Sequence, residues 1–228
     1  MKDFTVAIYC FIDDLLQKMQ PNHLDKRRKL TDAQVIATAI VSAKYFYGNQ
    51  WTACRYMKEH WGFEMPDKGN FNRILHRLSD LIARIFQQLS EIIKHLNLES
   101  VYIIGSFPVP VCKNIRISRS KLLKGKEFRG YNASKREFFY GFKVHMITTG
   151  EGIPAGVLIM AGSIHDNTAL QTMDIGLPKK SRLYADAAYL NGGIKGLLSE
   201  SRMVSFRIPD GFFESGHKEK FGHTQYMG

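Results

Sequence analysis

Two carboxylates stand at the ends of short apolar strands. Asp186 lies in SRLYADAAY (181–189), which reads as a strand running into a turn or helix, and Asp166 follows His165 just after the run AGVLIMAG (155–162). Ligands of open α/β sheets gather at strand ends, and a His-Asp pair can ligate a metal. Both acids also suit a plainer role, because Asp is favoured at helix N-caps and a helix from Asn167 would begin directly after Asp166. A third stretch, VYIIGSFPVPVC (101–112), raises the opposite question. It has the apolar run of a buried strand, yet Gly105 interrupts it with no side chain, and glycine weakens a strand interior.

Cationic chemistry is concentrated as well. The 228 residues carry a net charge of +11. Residues 113–143 hold ten basic residues (Lys113, Arg116, Arg119, Lys121, Lys124, Lys126, Arg129, Lys135, Arg136 and Lys143) against two acids, Glu127 and Glu137, a local excess of eight. Like charges packed this densely repel one another unless a polyanion neutralises them. Aromatic residues alternate with the cations in FRGYNASKREFFYG (128–141). That composition suits nucleic acid, with cations on phosphates and ring faces for exposed bases. Phe138 to Phe142 read instead as core residues of the strand that follows.

The elements that must position these groups divide the chain. Residues 1–98 read as helices. The first runs from about Asp3 to Met19 and stops before Pro21. TDAQ (31–34) is a capping box opening an apolar-periodic helix that Gly48 ends. A short helix covers Trp51 to His60, and the turn at Pro66–Gly69 leads into a helix from Asn70 to Leu96 with one continuous apolar stripe. Helices joined by tight turns fit a helix-turn-helix unit, in which Asn70, Asn72, Arg73, His76 and Arg77 would face DNA. After Ser100 the period changes to that of strands at 101–107, 137–149, 155–162 and 181–189, with a helix at Asn167–Met173, which makes a mixed α/β sheet. Hydrophobic residues form 44% of the chain, enough to bury a core. Three scattered cysteines, Cys10, Cys54 and Cys112, imply neither a disulfide framework nor a zinc site and fit a reducing cytosol. The apolar run at 4–12 is too short to span a membrane.

Several runs together resemble a known family. YII-x-SFPVPVC (102–112), FRGY (128–131), SK (134–135), FYGFKVH (139–145), GSIHD (162–166) and ADAAY (185–189) are similar, in this order, to bacterial insertion-sequence transposases of the DDE class. The branch it resembles is the nine-eighty-two insertion-sequence family, and the resemblance covers most of residues 1–200. It implies an α/β chain in which a helical N-terminal region (1–98, DNA-binding) precedes an RNase H-like mixed-sheet catalytic domain (99–202), incomplete at its C-terminus, and a divergent tail (203–228). It also implies cutting and joining of DNA by two divalent ions, Mg²⁺ or Mn²⁺, held by three carboxylates. Two ions about 3.5–4 Å apart activate the attacking oxygen and stabilise the leaving one.

Carried onto this chain, the second family Asp is Asp186, the catalytic and metal-binding position. The first falls at Gly105, so the interruption in the strand is a lost ligand. The family Glu lies on a later helix within R-x-x-x-E, and no such run follows residue 186; Glu200, Glu214 and Glu219 are the glutamates that remain. His165 and Asp166 belong to a motif near the site and support it. Lys113, Arg116, Arg119, Lys121, Lys124, Lys126, Arg129, Lys135 and Arg136 are the DNA-binding set. The partners implied are double-stranded DNA at the element's terminal inverted repeats and a second copy of the chain, in the cytoplasm at the nucleoid, with no membrane. Two functions stay open: a DNA transposase whose strand cleavage and transfer are impaired, and a DNA-binding remnant with no catalysis. A third, a nuclease using His165, Asp166 and Asp186 on a metal, requires those side chains to converge. A sheet without its last covering helix would leave part of an apolar face exposed.

Overall fold

The computed structural model describes residues 2–19, 29–119, 121, 123–132, 135–186, 189 and 205–207, with 113–115 and 205–207 described by backbone alone. The chain forms two compact units, Met1–Gln88 and Leu89–Gly228. In the first, α1 (Lys2–Met19), α2 (Asp32–Tyr45), α3 (Gln50–Trp61) and α4 (Lys68–Arg77) follow one another. The helix α2 is the centre. Its residues Val35, Ala37 and Val41 are fully buried, and it packs on α1, α3 and α4. Val41, Tyr56 and Met57 form a core that Ile8, Trp61 and Phe63 close over. The capping box is present. The Gln34 amide donates to Thr31 Oγ1 at 3.2 Å, and the Thr31 amide donates to Gln34 Oε1 at 2.9 Å.

The long helix expected at 70–96 is two helices, α4 and α5 (Ser79–Leu96), with the break at Leu78. The Leu78 amide reaches back only three residues, to the Leu75 carbonyl at 3.0 Å. Ser79 and Asp80 then start a new helix with an acid in its first turn, where the helix dipole favours it. One turn residue barely shifts the phase of the apolar stripe, so periodicity alone does not reveal the interruption.

The second unit is built on a mixed sheet of six strands: β1 (Val101–Lys113), β2 (Arg129–Asn132), β3 (Glu137–Thr149), β4 (Pro154–Ala161), β5 (Arg182–Ala185) and β6 (Ser205–Arg207). The order is β2-β3-β1-β5-β6, with β4 also on β3. The first four strands pair antiparallel; β5 returns through α6 (Asp166–Thr172) to lie parallel to β1, and β6 lies parallel to β5. A helical region followed by a mixed sheet is the α/β arrangement expected from the sequence. Residues 205–207, within the segment read as a divergent tail, contribute the outermost of these strands. The sequence reading did not separate β2 from the basic loop. Pro108 and Pro110 sit two apart in β1, past the last residue that β5 pairs, so their missing amides fall on an unpaired edge.

Strand alternation divides the sheet into two unlike faces. One face buries Tyr102, Ile104, Ile147, Leu183 and Ala185 against Leu170, Met173 and Ile175. The Ser90 hydroxyl donates to the Ala155 carbonyl beside this core. The other face carries Ile103, Phe107, Val109, Val157 and Ile159, all exposed. Register aligns them: Phe107, Val144 and Ile159 form one row across β1, β3 and β4, and Gly105, Met146 and Val157 the next. Phe138 lies on this outer face and is 45% exposed, whereas Phe139 and Tyr140 are buried. The reading of Phe138 as core is therefore corrected. Phe139 is the inward residue, and its ring occupies the space that a Cβ on Gly130 would need.

The two faces predict opposite responses. Ile147→Ala is expected to cost about 2–5 kcal/mol. Ile159→Lys is expected to change stability by about 0.5 kcal/mol or less and to lower the binding of an apolar fluorescent dye to the native protein. Equal destabilisation by the two in chemical denaturation would contradict the assignment of the faces.

Candidate active site

Parallel pairing brings the two ligand positions of the sequence reading side by side. Val101 pairs with Arg182 and Ile104 with Ala185, so one step further Gly105 and Asp186 are neighbours, across a strand spacing of about 4.8 Å. Both residues are exposed. Ile104 and Ala185 are buried on the inner face, so by alternation Gly105 belongs to the outer one. Asp186 also opens a turn, its carbonyl accepting the Tyr189 amide at 3.2 Å.

Gly105 is not demanded by the backbone. A Cβ built there meets nothing within 4 Å, and its φ lies outside the left-handed region. The strand can therefore carry a side chain at this position.

The inner face, directly behind Gly105, holds a linked polar cluster. Asp166 Oδ1 accepts from Ser106 Oγ at 3.2 Å and from Lys143 Nζ at 3.1 Å. Lys143 also donates to the Ile164 carbonyl at 3.3 Å. His145 Nδ1 lies 3.8 Å from the same carboxylate oxygen and 3.0 Å from the Tyr189 hydroxyl. His145 and Tyr189 are almost completely buried. Burial holds the His145 pKa below the usual imidazole value, and Lys143 adds to this while Asp166 opposes it. Burial likewise pushes the Tyr189 phenol up, so it stays protonated. The cluster joins the residue after Gly105 to the residue three after Asp186, and so supports both positions from behind.

Several sequence expectations are placed by this geometry. Asp166 is the first residue of α6 rather than its N-cap, and its carboxylate is turned to Ser106 and Lys143. The N-cap is His165, which makes no side-chain capping bond and is exposed. Lys143, counted with the surface cations, is paired with Asp166 and its side chain is only 18% exposed. Arg116, Arg119, Lys121, Lys124, Lys126, Arg129, Lys135 and Arg136 are exposed. The side chain of Lys113, and Glu200, Glu214 and Glu219, lie outside the described residues. Ser106, His145 and Tyr189 were not singled out from sequence. They sit inside the motifs SFPVPVC, FYGFKVH and ADAAY, but only register shows that they meet.

Among the described residues no three His, Cys, Asp or Glu side chains gather closely enough to hold a metal. The nuclease reading with His165, Asp166 and Asp186 is thereby removed. Of the two positions that the resemblance assigns to metal ligands among the described residues, Gly105 has no side-chain donor and Asp186 carries a carboxylate.

In the helical unit, a cavity of 690 Å³ is lined by Lys29, Lys58, Asn70, Arg73 and Arg77 along with Glu64 and Asp67. Asn70, Arg73 and Arg77 share one face of α4; they are three of the five residues expected to face DNA. Asp67 caps α4, and the amide of Asn70, chief among several donors, holds its carboxyl below the usual range.

Residues 95–206 match the family model described as the transposase DDE domain. The sheet unit is therefore similar to transposase DDE domains over this segment. No curated protein and no solved structure matches the chain. The matched segment runs from the end of α5 through β6 and contains both Gly105 and Asp186. Among the described residues no helix is long and apolar enough to cross a membrane.

Two predictions follow from the site. Gly105→Asp is expected to fold with a melting temperature within a few degrees of the unaltered chain, since the added atoms enter open space; loss of the cooperative transition would refute this. Burial makes the folded His145 harder to protonate than the unfolded one. Stability should therefore fall as pH drops below about 6.5, and His145→Gln should flatten that part of the profile. Melting curves between pH 7 and 5, taken as roughly the span over which a free imidazole titrates, check it.

Proposed function

We propose that the chain is a transposase of the nine-eighty-two insertion-sequence family that binds the DNA of its element ends, and that this copy is impaired in strand cleavage and transfer. The observation that carries the reading is the parallel pairing of Val101–Ile104 with Arg182–Ala185, which brings Gly105 and Asp186 to adjoining strand positions one step on. The DDE domain match supports cleavage chemistry for a domain of this kind; in this reading two carboxylates belong at adjoining strand ends, and only Asp186 supplies one. Asp186 is the remaining catalytic position. Ser106, Lys143, His145, Asp166 and Tyr189 act as positioning residues, because they touch the two strands from the inner face and not the reacting groups. His165 remains a supporting residue at the start of α6.

DNA binding rests on the eight exposed cations of 116–136, with Lys113 as a ninth in sequence, and on the cationic face of α4. Cations on phosphates release counterions, so the affinity should be steeply salt-dependent. The terminal inverted repeats are the DNA partner of this reading. A second copy of the chain is the expected protein partner and the cytoplasm the expected location.

The test compares the full chain with Gly105→Asp on a duplex carrying the terminal repeats, in Mg²⁺ and in Mn²⁺. Both forms should bind, with affinity falling by about 10³-fold between 50 and 200 mM salt, as expected for roughly six phosphate contacts. The unaltered chain should not cut. Cleavage restored by Gly105→Asp establishes the impaired transposase; binding without restoration establishes the second reading, a DNA-binding remnant. Cleavage by the unaltered chain would remove the assignment of Gly105.

A further inference from the structure

The outer face of the sheet carries a second feature, at the far end of β3 from Gly105. Tyr131 on β2 and Phe138 on β3 are directly opposed in register. Their ring centroids are 5.0 Å apart at an interplanar angle of 53°. They remain 50% and 45% exposed. The Arg129 guanidinium lies over the Phe138 ring, 4.7 Å from its centroid. Lys135 and Arg136, in the loop that joins the two strands, are also exposed.

A cross-strand aromatic pair stabilises a hairpin, but it does not require a cation stacked on one ring, nor a surrounding segment with an excess of eight positive charges. Together these features match what an unpaired nucleotide requires: a π-face for the base and cations for the phosphates on either side. A base within a duplex is covered by its stacked neighbours, so rings fixed on a strand can meet only a base that has left the stack.

We infer that Arg129, Tyr131 and Phe138 form a stacking platform for an unpaired base of DNA, tolerant of base identity. This rests on the reading of the chain as a DNA-binding protein. The platform shares its face with the Gly105–Asp186 position. Phe138 and Met146, the partner of Gly105, are eight residues apart on one strand, about 27 Å. The platform is therefore separate from that position and takes a base several nucleotides away from it.

The experiment uses the full chain and two DNAs: a blunt duplex, and the same duplex with a short single-stranded overhang containing fluorescent aminopurine. The unaltered chain should bind the overhang form about tenfold more tightly and quench the aminopurine. Tyr131→Ala with Phe138→Ala should abolish the difference while leaving the blunt-duplex affinity and its salt dependence in place. Tyr131→Trp with Phe138→Trp should keep the difference, which separates loss of stacking from loss of folding. Equal affinity of the unaltered chain for both DNAs, or a preference that survives the alanine pair, overturns the platform while leaving the DNA-binding reading intact. Absence of salt-sensitive binding to either DNA overturns both.

Discussion

The parallel pairing of Val101–Ile104 with Arg182–Ala185 is the constraint on which the candidate site depends. It covers only four residues of each strand, too few backbone bonds to hold a register unaided. Burial fixes it from one side. Tyr102, Ile104, Leu183 and Ala185 are all buried, and slipping the strands by one residue would move that whole set to the outer face. The Asp166 cluster fixes it from the same side. A carboxylate and an ammonium largely withdrawn from water are costly to separate, because each would be left without its partner. Ser106 on β1, Lys143 on β3 and the start of α6 are therefore tied at one oxygen.

The consequence is a division of labour between the faces of one strand. Even-numbered residues of β1 hold the fold, and odd-numbered residues near its centre face outward. Gly105 falls among the latter, which is why its lack of a side chain disturbs no packing. The same alternation along β3 places Met146 and Phe138 outward and His145 inward. Residues adjacent in sequence thus serve unrelated purposes, and the motif FYGFKVH mixes both.

Much of this was legible in the residues themselves. The capping box at Thr31 and Gln34, the strands at 137–149 and 155–162 and the short strand before Asp186 follow from local chemistry and period. The likeness of the spaced motifs to DDE transposases carried the expectation of a mixed α/β sheet after a helical region, but not the order of its strands. What was not legible depends on contacts across the chain. The helix break at Leu78 leaves the apolar stripe intact. The strand β2 is short and basic, and only its pairing with β3 reveals it. Asp166 reads as a helix cap because nothing local shows that Ser106, sixty residues earlier, and Lys143 compete for its oxygen. The exposure of Phe138 follows from the seating of Phe139 over Gly130, a long-range fit between two glycine-bearing segments.

The open space around Gly105 has a genetic consequence. Every glycine codon lies one transition at its second base from a codon for aspartate or glutamate. The fold neither needs the glycine nor resists its replacement, so selection for a stable protein is indifferent to which residue stands there. An acidic residue can therefore arise at this position by a single base change without any accompanying structural repair.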